Sequence, residues 1–241
     1  NVSGVLPITL ENACKVMPAL QGLEKEYAGV ARLHKDVEDD ALQNAIEEFI
    51  GEISQKPPIK SAVSRKERKR RVYSMEILDR IDRDFCFYVE CEAGTYIRKL
   101  IHDIGLKIGG ANMTELRRIR AGPFTEEHAC SIDDLAEAYD KWKDNGAEDI
   151  RNFLLPIEFA VRHLKKIIVK DSALRNIING SPLFAAGIFT MEKNIEKGEA
   201  VAIFSSNGFL IALGKASMSR KTIANIDRVI VDKKFLKNLK R

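Results

Sequence analysis

A chain of 241 residues, 45% hydrophobic and 31% charged with a formal net charge of +4, is long enough for one large domain or for a main domain with a small one appended. No apolar run reaches the length of a membrane span and the N-terminus lacks the basic-then-apolar order of a signal peptide, so a soluble, intracellular protein is expected. Cys14, Cys86, Cys91 and Cys130 have no Cys-x-x-Cys spacing and the four histidines are scattered, which argues for reduced thiols and against a zinc site.

The chain opens abruptly at Asn1 with no methionine, as a fragment would. Residues 10–20 carry a helical pattern, and residues 24–34 read as a strand in which Tyr27 is a sheet aromatic. Residues 39–50 predict an amphipathic helix burying Ala41, Leu42, Ala45, Ile46, Phe49 and Ile50, closed by Gly51. The pair Pro57-Pro58 neither continues a helix nor joins a central strand. It launches a basic block: between Lys60 and Arg71 stand seven basic residues (Lys60, Arg65, Lys66, Arg68, Lys69, Arg70, Arg71) against the single acid Glu67. On an otherwise near-neutral chain such a block is an electrostatic footprint for a phosphate backbone; a solvated loop or a localisation signal has the same composition.

Residues 72–78 resume as a strand, and residues 79–84 connect to a second strand. There Phe85, Phe87, Val89 and Cys91 alternate with Cys86, Tyr88, Glu90 and Glu92. Gly94 breaks that strand, Thr95 is placed to cap, and Ile97, Leu100, Ile101, Ile104 and Ile108 follow at helical spacing. Tyr96 and Arg98 fall off the apolar face. A tyrosine and a permanent cation at a strand–helix junction suit a base, a phosphate or a catalytic carboxylate, though these residues alone favour a packed ring and a surface ion pair.

Gly109-Gly110 marks the next turn, and Arg117, Arg118 and Arg120 suit a strand or turn showing charge on more than one side. Ser131 caps a predicted helix holding Leu135, Ala138, Tyr139 and Trp142, with a surface turn at residues 143–147. After Pro156 the texture changes. Short apolar runs at 167–169, 200–204, 208–214 and 229–231 alternate with glycine-bearing turns, as in a small β-barrel.

Three stretches together resemble one family: Lys56-Pro57-Pro58-Ile59-Lys60-Ser61-Ala62-Val63, Gly94-Thr95-Tyr96-Ile97-Arg98, and Glu115-Leu116-Arg117-Arg118-Ile119-Arg120-Ala121-Gly122-Pro123-Phe124. They resemble the TruB family of pseudouridine synthases, and within it the dyskerin-type catalytic subunits of box H/ACA guide-RNA ribonucleoproteins. The order Gly180-Ser181-Pro182-Leu183, Ala186-Gly187-Ile188, Lys197-Gly198, Gly208 and Ala212-Leu213-Gly214-Lys215-Ala216 resembles a PUA RNA-binding domain. The resemblance implies a mixed α/β (α+β) synthase domain with a largely antiparallel sheet over residues 1–160, and a small PUA β-barrel over residues 161–241. Asn112 departs from the histidine common in the family.

The family reaction breaks the N-glycosidic bond of a uridine in RNA, rotates the base and rejoins it through carbon. No cofactor and no metal are implied. By resemblance Tyr27 stacks on the flipped uracil, Leu116 packs beneath it, Arg98 pairs with the nucleophilic aspartate, and Tyr96 lies at the base as a candidate for the proton step at carbon five. That aspartate falls about two positions before Asn1, outside this sequence, so the chain as given is expected to be inactive. The basic block becomes a thumb whose Lys60, Arg65, Arg68, Lys69 and Arg70 grip RNA, while Gly180, Gly187 and Lys215 mark the RNA-binding edges of the barrel. Implied partners are guide RNA, substrate RNA and three small proteins: a short zinc-ribbon type, a small β-barrel protein and a kink-turn-binding ribosomal type. A stand-alone tRNA pseudouridine synthase and a non-catalytic RNA-binding scaffold are the competing readings. The short basic thumb with Ala62-Val63-Ser64 and the whole PUA module favour the guided enzyme. It would be cytoplasmic in an archaeon, which the lack of a lysine-rich tail favours, and nucleolar in a eukaryote.

Overall fold

The computed structural model describes residues 2–57, 66–217, 219 and 222–231. In chain order, strand β1 (Val2–Gly4) precedes a 3-10 segment (Glu11–Val16) that runs into helix α1 (Met17–Gln21). Then come β2 (Lys25–Leu33), α2 (Asp39–Glu47), β3 (Gly51–Gln55), β4 (Arg68–Ile81), β5 (Asp84–Cys91), α3 (Ile97–Ile108), β6 (Ala111–Ala121) and β7 (Phe124–Thr125). The remainder forms α4 (Ile132–Asn145), β8 (Lys165–Val169), α5 (Asp171–Ile178), β9 (Leu183–Phe184), β10 (Ile188–Met191), β11 (Ala200–Phe204), β12 (Leu210–Ala216) and β13 (Thr222–Val229), with short 3-10 turns between. Two compact units result: residues 1–7 with 21–129, and residues 8–20 with 130–241.

The first unit is built on the sheet β1-β6-β2-β5-β4-β3, with β7 added to β6. Every pairing in it is antiparallel except β1 with β6. The alternation read from the sequence is kept: Phe85, Phe87, Val89 and Cys91 are buried, and the residues between them are half-buried. They pack with Leu42, Ala45 and Ile46 of α2 and with Ile97, Leu100, Ile101 and Ile104 of α3 in one core. Gly105 lets α3 close on β6, since a Cβ there would lie 2.2 Å from the Ala111 nitrogen.

Several boundaries differ from the sequence pattern, for local reasons. Helix α2 buries neither Ala41 nor Ile50, because its apolar stripe is satisfied by Leu42, Ala45 and Ile46 before the chain turns into β3. Strand β4 starts at Arg68, so the last part of the basic block is sheet, held by pairing with Gly51–Gln55 of β3. The expected connection at 79–84 shrinks to a tight turn around Asp82, whose φ is +53°. Helix α4 is capped at Ser131 as expected, its hydroxyl accepting from the Asp134 N–H at 3.0 Å, yet Leu135, Tyr139 and Trp142 stay exposed and only Ala138 is buried.

The second unit contains a nearly closed six-stranded sheet in the order β10-β8-β11-β12-β13-β9. Val201–Phe204 and Leu210–Gly214 are buried residue after residue, with Leu174 and Ile177 of α5 in the same core. Lys15 of the 3-10 segment donates to the Ile230 carbonyl at 2.9 Å and so belongs to this unit.

Candidate active site

The connector between β5 and α3 is short, and its backbone groups must be met within five residues. Thr95 is not the cap. Tyr96 takes that position, with φ −91° and ψ 97° and no side-chain capping bond, while the Thr95 hydroxyl donates to the Glu92 carbonyl at 2.8 Å. A capping box would meet the Tyr96 N–H from the third helical residue, but Lys99 there pairs with Asp103 instead. The group that meets it comes from another strand. Gln55, at the end of β3 and 2% exposed, accepts from the Tyr96 N–H through Oε1 at 2.9 Å and donates to the Tyr96 carbonyl through Nε2 at 3.2 Å.

Arg98 lies exposed in the first turn of α3, and it forms no ion pair with any described residue. The surface ion pair allowed by the sequence pattern is therefore absent among the described residues, and the guanidinium is presented to solvent. Tyr96 is half-buried beside it in sequence.

Tyr27 and Leu116 pack against the core that holds Cys91 and Ile97. Tyr27 stands opposite Val89 of β5 and Arg118 of β6, and Leu116 stands opposite Gly29 and beside Val2. At Gly29 a Cβ would lie 2.6 Å from the Phe87 ring of β5 and 2.7 Å from the Glu115 carbonyl of β6, so only glycine fits between these two strands. Burial raises the Tyr27 hydroxyl above its ordinary value, and the nearby Arg118 guanidinium acts in the opposite sense. Arg118 also fastens β1: its Nε donates to the Val5 carbonyl at 2.6 Å, and its carbonyl accepts from the Val5 N–H at 2.8 Å. Cys91, 1% exposed, is pushed up to about 11 by burial, with the Thr95 hydroxyl opposing, and remains a neutral thiol. Burial, and then Arg118, lower Lys25, whose ammonium donates to the Leu23 carbonyl at 2.5 Å.

Of the basic block, Lys60 and Arg65 lie outside the described residues. Arg68 is half-buried opposite Gln55. Lys69 is exposed and bridges to Glu52 at 2.7 Å, a surface pair of small energetic value. Arg70 turns inward: its Nη1 reaches Glu92 at 3.2 Å and the Lys69 carbonyl at 3.0 Å, and its guanidinium lies against Gly94. On the opposite sheet face Arg120 is held between Glu26 and Glu90, and Tyr88 beside them is pushed up to about 12, first by burial and then by those carboxylates.

In the barrel, Gly180 has φ +82° because it closes α5 in a Schellman motif. Its N–H bonds to the Ile177 carbonyl at 2.8 Å, and that of Ser181 to the Asn176 carbonyl at 3.0 Å. Gly187 lets the chain approach α5, a Cβ there meeting that of Ala173 at 2.9 Å. Lys215 is exposed on β12. Phe184 and Phe189, unread in the sequence, are exposed along the same 180–191 stretch. No group of His, Cys, Asp or Glu among the described residues is arranged to hold a metal. None of the described helices is long and apolar enough to cross a membrane.

Sheet, junction and barrel together have close counterparts. Residues 98–162 match the tRNA pseudouridylate synthase B C-terminal domain, residues 165–234 the PUA domain, and residues 4–108 the Pus10 C-terminal family. The chain is 47% identical over 240 residues to the probable tRNA pseudouridine synthase B of Korarchaeum cryptofilum, covering 95% of this chain and 74% of that protein. For the protein of the same description from Pyrococcus abyssi the identity is 46% over 241 residues, covering 98% and 72%. Among solved structures, a chain of a Cbf5-Nop10-Gar1 complex superposes with a TM-score of 0.89 at 43% identity, covering 98% of this chain and 75% of that one. A chain of an H/ACA RNP bound to a substrate RNA containing 2'-deoxyuridine gives 0.88 at 41% identity, covering 96% and 74%. These likenesses define an RNA-modifying α+β domain joined to a PUA domain. The chain belongs to the TruB family of pseudouridine synthases.

Proposed function

We propose that this protein is the catalytic subunit of a box H/ACA ribonucleoprotein, isomerising uridine to pseudouridine in an RNA chosen by a guide RNA. The likeness over nearly the whole chain to subunits of a Cbf5-Nop10-Gar1 complex and of a substrate-bound H/ACA RNP carries this reading. In the proposed pocket Tyr27 stacks on the flipped base, Leu116 lies beneath it, and Tyr96 serves the proton step at carbon five. The exposed Arg98 pairs with a nucleophilic aspartate that the family carries ahead of Asn1, holding it ionised. Residues 1–241 alone then form no pseudouridine. The basic hairpin β3–β4 grips substrate phosphates, and the 180–191 edge with Phe184 and Phe189, together with Lys215 of β12, anchors guide RNA, since exposed rings offer faces on which bases stack. Guide RNA, substrate RNA and small protein subunits are the proposed partners.

A second reading is favoured by the description of the curated relatives as probable tRNA pseudouridine synthases: a stand-alone enzyme that selects tRNA itself. The two separate in one experiment. Full-length protein is given a target RNA with and without a matching guide, and pseudouridine is mapped by carbodiimide-labelled primer extension. Modification that requires the guide supports the first reading; modification of tRNA with no guide present replaces it with the second.

A further inference from the structure

Among the described residues only three polar side chains are buried, Gln55, Thr95 and Ser205, and two of them meet at the strand–helix connector. Burying a primary amide is unfavourable unless its groups are paired, and Gln55 pairs with both backbone groups of one residue, Tyr96. That carbonyl also accepts the first intrahelical bond of α3, from the Leu100 N–H at 2.9 Å. The Gln55 amide therefore sets where α3 begins and fixes the main chain that carries Tyr96 and, two residues on, Arg98. A second tie runs alongside: Glu92 accepts from Arg70 at 3.2 Å and from the Arg71 N–H at 3.1 Å, and its own N–H bonds to the Arg71 carbonyl at 2.8 Å. The base of the basic hairpin is thus laced to both ends of the connector.

We infer that Gln55 is a positioning residue for the reaction: through its side-chain amide the RNA-gripping hairpin holds Tyr96 and the first turn of α3 in place. The inference rests on the proposed synthase activity. Gln55 need not touch substrate, and its contribution falls on the chemical step more than on RNA affinity. Displacing a reacting group by an ångström costs rate while the binding contacts of the hairpin persist.

The test uses the full-length protein with its guide and substrate RNA. Gln55→Met keeps length and volume and removes both hydrogen bonds; Gln55→Glu keeps the acceptor for the Tyr96 N–H and puts an oxygen against its carbonyl. Ile53→Val, in the core one turn of the pleat earlier on β3, controls for lost stability. The expected result for Gln55→Met is a single-turnover rate down by about ten-fold or more with RNA dissociation constant within about two-fold, and faster amide exchange at residues 95–98. Gln55→Glu, with a buried carboxyl oxygen facing a carbonyl oxygen, should show the same direction with a loss at least as large, and Ile53→Val no change in single-turnover rate. The inference is overturned if both Gln55 variants keep rates within about two-fold of wild type, if the losses match that of Ile53→Val, or if exchange at 95–98 is unaltered. Wild-type protein that forms no pseudouridine with or without guide would instead overturn the synthase reading, and the inference with it.

Discussion

The two sheets of this chain bury their strands differently. In β5 every second residue is buried, while β11 and β12 are buried in unbroken runs from Val201 to Phe204 and from Leu210 to Gly214. A sheet with one apolar face keeps the other for charge, and the first unit uses it for the Glu26–Arg120–Glu90 network with Tyr88. In the barrel only the central strands β11 and β12 are buried in unbroken runs, while β8, β10 and β13 keep exposed positions such as Lys166, Phe189 and Asp227. In the first unit the buried Cys91, the Gln55–Tyr96 pair and the exposed Arg98 stand close in the chain or in space at the end of β5 and the start of α3.

This contrast predicts unequal responses to substitution. The largest stability loss is expected in the barrel, where Ile203 is fully buried: Ile203→Ala should destabilise by about 2–5 kcal/mol in denaturant unfolding. A loss under about 1 kcal/mol would show that the barrel core is looser than its burial suggests. Next comes an alkaline effect confined to the first unit. The neutral Cys91 thiol is favoured by the fold, with a value of about 11 against an ordinary 9.0, so its contribution is intact below about pH 9 and is lost as pH rises towards 11. A displacement of that size corresponds to roughly 2–3 kcal/mol, and Cys91→Ala should flatten the stability slope over that window. At neutral pH the exposed Cys14 and Cys130 should react with iodoacetamide long before Cys91. The smallest stability effect is expected at Lys69, where alanine should change stability by less than about 0.5 kcal/mol yet reduce the log-log salt slope of RNA binding by about 0.7. An unchanged slope would place Lys69 away from phosphate.

Periodicity made much of this legible. The alternation in β5, the stripe on α3 and the glycine-punctuated apolar runs of the barrel are local signals, and they survive because burial of those faces is what holds each unit. Thr95 misled because a Thr before a helical stripe looks like a cap, whereas a long-range partner, Gln55, had already met the backbone. A signal for Gln55 was present: β3 alternates with Ile53 inward, which puts a polar Gln55 on the same buried face, where it must find partners. Which partners these were depended on β3 lying beside the connector, a contact 41 residues apart in sequence that no local pattern encodes. The inward turn of Arg70 was hidden for the same reason, since composition counts a cation without showing that Glu92 occupies it.

The central claim is that the strand–helix junction carries the chemistry, and Arg98 tests it most directly because it is exposed there with no described acid for a partner. In the full-length protein with guide and substrate RNA, Arg98→Ala should lower the single-turnover rate of pseudouridine formation by about a hundred-fold or more, with RNA affinity changed by less than about three-fold. A rate within about two-fold of wild type, or a loss of affinity that accounts for the whole loss of rate, would contradict the account.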